Sequence, residues 1–95
     1  MAQPSVAVNE WLVYIVLASD GSFYTGVTTD VVRRLREHRV GRCGAKYFNG
    51  GRRPLALAFC EPGHTRSSAA RREAAIKKLS HAEKAALIAQ GSLSQ

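Results

Sequence analysis

The chain has 95 residues, room for one domain and too few for two. Hydrophobic residues make up 45% and charged residues 22%, an ordinary globular balance that excludes a low-complexity polar tract. The net charge is +7 and it is concentrated: residues 33–53 carry Arg33, Arg34, Arg36, Arg39, Arg42, Lys46, Arg52 and Arg53 against Glu37 alone, while six basic and six acidic residues elsewhere cancel.

An excess held in one segment attracts polyanions and speeds encounter with nucleic acid. Its plainer reading is a solvated surface that keeps the protein soluble. No apolar run approaches the roughly 18 residues of a membrane-spanning helix, so no membrane partner is expected. Residues 1–9 lack the basic and apolar regions of a signal peptide. They are expected to be a flexible leader on a cytoplasmic protein. Cys43 and Cys60 have no partner His or Cys at zinc-ligand spacing and read as free thiols in a reducing compartment.

Residues 11–18, WLVYIVLA, form a continuous apolar run rich in β-branched and aromatic residues. Such a run predicts a strand buried on both faces, central in a sheet. Ser19-Asp20-Gly21-Ser22 predicts a hairpin turn, and residues 23–27 return antiparallel. Thr28, Thr29 and Asp30 supply a helix N-cap. Val31, Leu35 and His38 then mark one face of a helix over 30–40, which Gly41 ends. Residues 41–53 are a Gly-rich basic loop. Pro54 opens a third strand over 55–61, and Pro62-Gly63 closes it. A helix follows from Thr65 or Ser67 to Leu79. Ser80 and Glu83 form a capping box that starts another helix, running to Gln90 with Gly91 at C′. The order β-β-α-β-α-α predicts a small α+β domain over 10–91, with a frayed tail at 92–95.

Arg34 and His38 are four apart and share a helix face. The guanidinium suits a phosphate oxygen and the imidazole suits proton movement. For the pair alone, a solvated Arg beside a packed His is the plainer reading. Glu73 is four after Ala69, three after Ala70 and three before Ile76, at the centre of an apolar stripe. A carboxylate there needs a partner. Either a salt bridge to an Arg such as Arg34 or a hard divalent cation satisfies it. Tyr14 and Tyr24 flank the hairpin turn, and an antiparallel pairing brings them onto one face. They are core aromatics, or two phenols presented to a phosphate and an attacking water.

Taken together, Val13-Tyr14-Ile15 followed by Tyr24-Thr25-Gly26 resembles the paired motif that names the GIY-YIG nuclease superfamily. Arg34, ten after Tyr24, stands where that family carries its catalytic Arg. His38 stands where members carry His or Tyr, and Glu73 at the metal-ligand position. The resemblance spans about residues 10 to 90 and is closest to small single-domain bacterial members. Leu12 and Thr25 depart from the name motif, and Ala85 stands where some members carry Asn.

The resemblance implies a three-stranded antiparallel sheet flanked by helices and Mg²⁺- or Mn²⁺-dependent hydrolysis of DNA, weakly specific or structure-directed. It implies that Glu73 holds the ion and Arg34 neutralises phosphoryl charge. Tyr14 or His38 would deprotonate or orient the water, and Tyr24 would line the pocket. A Tyr base at neutral pH needs a nearby cation to lower its pKa, a task for Arg34 or the metal. Arg33, Arg42, Lys46, Arg52 and Arg53 are the expected contacts to DNA or RNA, reading backbone more than base edges. The alternatives are a non-catalytic nucleic-acid binding module on the same scaffold and an interaction domain for an acidic protein. Oligomeric state is not set by the sequence.

Overall fold

The computed structural model describes residues 10–40 and 51–93. Within them the chain runs β1 (Trp11–Ala18), β2 (Phe23–Thr28), α1 (Val31–Val40), β3 (Pro54–His64), α2 (Arg66–Lys77) and α3 (His81–Leu93). The three strands form one antiparallel sheet in the order β2-β1-β3. This is the expected three-stranded α+β fold with β1 at its centre. The leader at 1–9, the expected helix stop at Gly41 and most of the basic loop lie outside the described residues, as do 94–95.

The run WLVYIVLA becomes the central strand because both of its faces are covered. Val13 and Ile15 join Phe59, Ala69 and Ile76 in one buried cluster, with Leu87 and Ile88 packed against it. Tyr14, Val16 and Ala18 point the other way and pack against Tyr24, Val31 and Leu35. Thus α2 and α3 cover one face of the sheet and α1 the other. Each fully buried Val or Ile contributes about 1.5–3 kcal/mol, and Val13, Ile15 and Val16, with Tyr14 and Ala18, make five buried residues of β1 that anchor both layers.

Local signals set the element ends. Gly21 takes φ 86° in the β1–β2 turn, where the Ser22 amide donates to the Asp20 carboxylate. Asp30 caps α1: its carboxylate accepts from the Arg33 amide at 3.1 Å. Thr65 and Ser68 form a reciprocal capping box at α2, and Ser80 and Glu83 form the expected one at α3.

Two boundaries differ from expectation. Pro62-Gly63 does not close β3, which continues to His64. The pairing shifts by one residue between Trp11↔His64 and Val13↔Glu61, and Gly63 takes φ 85°. The dipeptide makes a bulge on an edge strand, a place that tolerates a missing amide donor. Gly91 does not end α3, which reaches Leu93 and takes in the start of the expected tail. A Cβ on Gly91 would lie 2.8 Å from the Phe59 ring, so glycine is required by helix–strand approach and not by a cap.

Candidate active site

Tyr14 is the hub of the site. The β1–β2 register pairs it with Gly26 and places Tyr24 opposite Val16, one diagonal step away. The two phenol rings lie 6.3 Å apart on the same face. Gly26 has no positive φ. Its missing side chain is instead filled by Tyr14: a Cβ there would meet Oη at 2.6 Å and Cζ at 2.7 Å. The phenol therefore lies flat across the neighbouring strand and is 1% exposed.

α1 closes over it. His38 is 1% exposed, and its Nε2 lies 3.0 Å from Tyr14 Oη. The imidazole meets the Tyr24 ring edge-on at 5.2 Å. One turn earlier, the Arg34 guanidinium stands close enough to Tyr14 to pull the phenol's pKa downward. The guanidinium Nη1 donates to Glu37 Oε1 at 2.9 Å. The i, i+4 spacing predicted that Arg34 and His38 share a face, and both reach the same phenol.

Tyr14 Oη and His38 Nε2 share one hydrogen bond, whose direction follows the His38 tautomer. With Nε2 unprotonated, Tyr14 donates to it, and the phenol oxygen is left to accept from donors such as a guanidinium. Burial, followed by the Arg34 charge, holds the His38 pKa below its usual value, with Glu37 opposing. In that tautomer a polar chain runs from the Arg34 charge through the Tyr14 hydroxyl to His38 Nε2.

Of the two cations expected to lower the Tyr14 pKa, Arg34 or a metal, Arg34 does pull downward. Burial pushes harder, Tyr24 and Glu73 add to it, and the phenol is raised to about 12. Arg34 alone therefore does not make Tyr14 a phenolate at neutral pH.

Glu73 stands at the edge of its helix's apolar stripe, not at the centre. Ala69 and Ile76 are buried, whereas Ala70 is exposed. The Glu73 side chain is 23% exposed and pairs with Lys77 Nζ at 3.1 Å, one turn along α2. The expected Arg34 partner is engaged with Glu37 instead. Glu73 remains near enough for its charge to act on Tyr14. Among the described residues no three of His, Cys, Asp and Glu cluster as a metal site.

The basic residues expected to contact nucleic acid divide. Arg42 and Lys46 lie outside the described residues. Arg33 is exposed on α1, with Nε 3.9 Å from Glu37. Arg52 is held by Asp20 in the hairpin turn at 2.9 Å. Arg53 is exposed, and its amide donates to Ser19 Oγ. Arg52 and Arg53 thus border the β1–β2 turn. Sequence reasoning missed Glu37, whose i+3 spacing from Arg34 on one helix was the available signal.

A strand pair carrying Tyr14, Tyr24 and Gly26, with Arg34, His38 and Glu73 supplied by two helices, has a family counterpart. The model of the GIY-YIG catalytic domain matches residues 10–86. The chain belongs to the GIY-YIG family. A UPF0213 protein of Desulfotalea psychrophila is 46% identical over 86 residues, covering 90% of this chain and 77% of that protein. Two solution structures show the same GIY-YIG architecture. The protein EF2693 from E. faecalis is 37% identical with TM-score 0.60, over 98% of this chain and 93% of that one. The UPF0213 protein BH0048 from Bacillus halodurans is 41% identical with TM-score 0.54, over 85% and 84%. The GIY-YIG module accounts for most of the length of this chain.

Proposed function

We propose that the protein is a metal-dependent endonuclease that hydrolyses phosphodiester bonds in DNA, with weak or structure-directed specificity. The observation that carries this reading is the buried Tyr14–His38 hydrogen bond, with the Arg34 and Glu73 charges both acting on Tyr14, in a chain that matches a catalytic domain.

Each residue has a role that its surroundings support. Arg34, with 29% of its side chain exposed, binds a non-bridging phosphoryl oxygen and offsets charge that develops there. Moving it from Glu37 toward the phosphate uncovers the Tyr14 hydroxyl. Tyr14 takes a proton from the attacking water as it passes its own to His38 Nε2. No phenolate need persist, which agrees with a Tyr14 pKa of about 12. His38 is buried and touches no substrate; it positions Tyr14 and accepts the relayed proton. Tyr24, half-buried against both rings, forms the pocket wall.

Glu73 would hold Mg²⁺ or Mn²⁺. One carboxylate suits such an ion because waters and substrate phosphate complete its shell. Lys77 balances the carboxylate in the free protein. When bound, the ion supplies Lewis-acid stabilisation of the scissile phosphate and the leaving oxygen.

The test is nicking of supercoiled plasmid with Mg²⁺ or Mn²⁺. Wild type is expected to nick and Glu73→Ala to be inactive; equal activity in the variant would sink the proposal. A second reading, a non-catalytic nucleic-acid binding module, is favoured by the 1% exposure of Tyr14. It predicts salt-sensitive binding of DNA or RNA with no metal requirement and no cleavage.

A further inference from the structure

The basic residues outside 33–53 are not spread over the surface. Five of the six, Arg66, Arg71, Arg72, Lys77 and Lys78, fall in or at the end of α2, against Glu73 alone. The charge balance read from the whole sequence conceals this, because the compensating acids sit elsewhere. Arg72 is bound to Glu61 and Lys77 to Glu73. Arg66, Arg71 and Lys78 make no ion pair among the described residues, and all three are exposed.

Their arrangement is directional. Ser67, Arg71, Ala74 and Lys78 form one row along the helix, and Arg66, Ala70, Glu73 and Lys77 form the next. Cations stand toward both ends of this surface. Ser67, Ala70 and Ala74, all small and exposed, lie between them. Arg71 Nη1 donates to Ser67 Oγ at 2.8 Å, and Arg66 stacks over the Trp11 ring at 5.9 Å. Two of the three free cations are thus held in place by neutral groups. From Arg66 to Lys78 the helix rises about 18 Å. That length covers about five phosphates of one strand at ~3.4 Å each.

We infer that this outer face of α2 binds the phosphate backbone of the nucleic acid and leads it to Glu73, one helical row away. The inference rests on the nuclease reading for its ligand and extends it to a second contact surface, apart from residues 33–53. A backbone can approach closely over Ser67, Ala70 and Ala74. An acidic protein would want a large apolar anchor. The exposed large hydrophobics, Val32, Leu55 and Leu57, all lie off this helix.

The experiment measures binding of a fluorescein-labelled ~30-base-pair DNA duplex to the full chain in EDTA, from about 50 to 200 mM salt. Wild type is compared with Arg66→Gln/Arg71→Gln/Lys78→Gln, and circular dichroism and melting check the fold. Loss of three phosphate contacts makes the slope of log K against log salt shallower by about 2.7, at ~0.9 per contact. If the triple variant melts early, Arg71→Gln and Lys78→Gln alone should each remove about 0.9. An unchanged slope in folded variants overturns the inference. The two readings fail separately. Nicking by wild type with an unchanged slope in the variants removes only the α2 surface. A shallower slope without any metal-dependent nicking removes only the nuclease.

Discussion

Gly26→Ala is the sharpest probe of the site, because its effect follows from one contact. The added methyl would lie 2.6 Å from Tyr14 Oη, 2.7 Å from Cζ and 3.2 Å from Cε1. Carbon atoms pack best at about 3.5–4.0 Å, so the ring must retreat by roughly 1 Å. Tyr14 cannot retreat freely, since its hydroxyl is held 3.0 Å from His38 Nε2. A shift of that size takes the hydrogen bond past its useful range. Overpacking costs about 1–3 kcal/mol, and leaving a buried acceptor unmet costs about 1–3 more. The expected loss is about 2–6 kcal/mol in urea unfolding, with loss of nicking beyond the folded fraction's share. Elsewhere in a strand, Gly→Ala is expected to stabilise slightly. The decisive control is therefore Tyr14→Ala, which removes the ring. On that background Gly26→Ala should cost less than ~0.5 kcal/mol. If Gly26→Ala alone leaves stability and nicking at wild-type levels, the Tyr14-centred site is wrong.

Three further outcomes follow from the same geometry. Tyr14 is raised from 10.0 to about 12, so its unfolded phenol ionises first and stability is lost as pH rises from 10 to 12; the loss approaches about 2.7 kcal/mol, and Tyr14→Phe should abolish it in urea unfolding across that range. His38 has a lowered pKa, so the unfolded state takes up its proton first as pH falls below about 6.5; wild type should lose stability below that point, while His38→Gln should show a flatter acid limb in thermal melts. Gly91→Ala forces a methyl against the Phe59 ring at 2.8 Å and should lower stability by about 1–3 kcal/mol, whereas a simple helix-end role would predict no clash penalty.

What was legible in the sequence was local. The β1 bounds at Trp11 and Ala18, the Asp-Gly turn and the Ser80–Glu83 capping box each depend on neighbours within a few residues. The shared face of Arg34 and His38 is one helical turn, and the approach of Tyr14 to Tyr24 follows from hairpin register. What was not legible depends on partners far along the chain. Pro62-Gly63 becomes a bulge only through pairing with Trp11 and Val13, and Gly91 is explained only by Phe59. That Glu73 does not pair with Arg34 needed the positions of α1 and α2, whereas its i+4 partner Lys77 was a local signal that was missed. The rise in the Tyr14 pKa needed its burial, which outweighs the nearby cation. The basic face of α2 was hidden by averaging charge over the whole chain.

β1 is hydrogen-bonded on both sides and covered on both faces, and it carries Tyr14. Its amides have no fraying edge, so the backbone at Tyr14 should exchange with deuterium only when the whole domain opens. The phenol is thus registered by the most cooperative unit of the fold, while Glu73 rides on a helix whose outer face is open to solvent. Substitutions that tune the reactivity of Tyr14 will consequently register as changes in global stability. Substitutions around Glu73 are free to alter ligand preference without that penalty, and the two halves of the site can diverge at different rates.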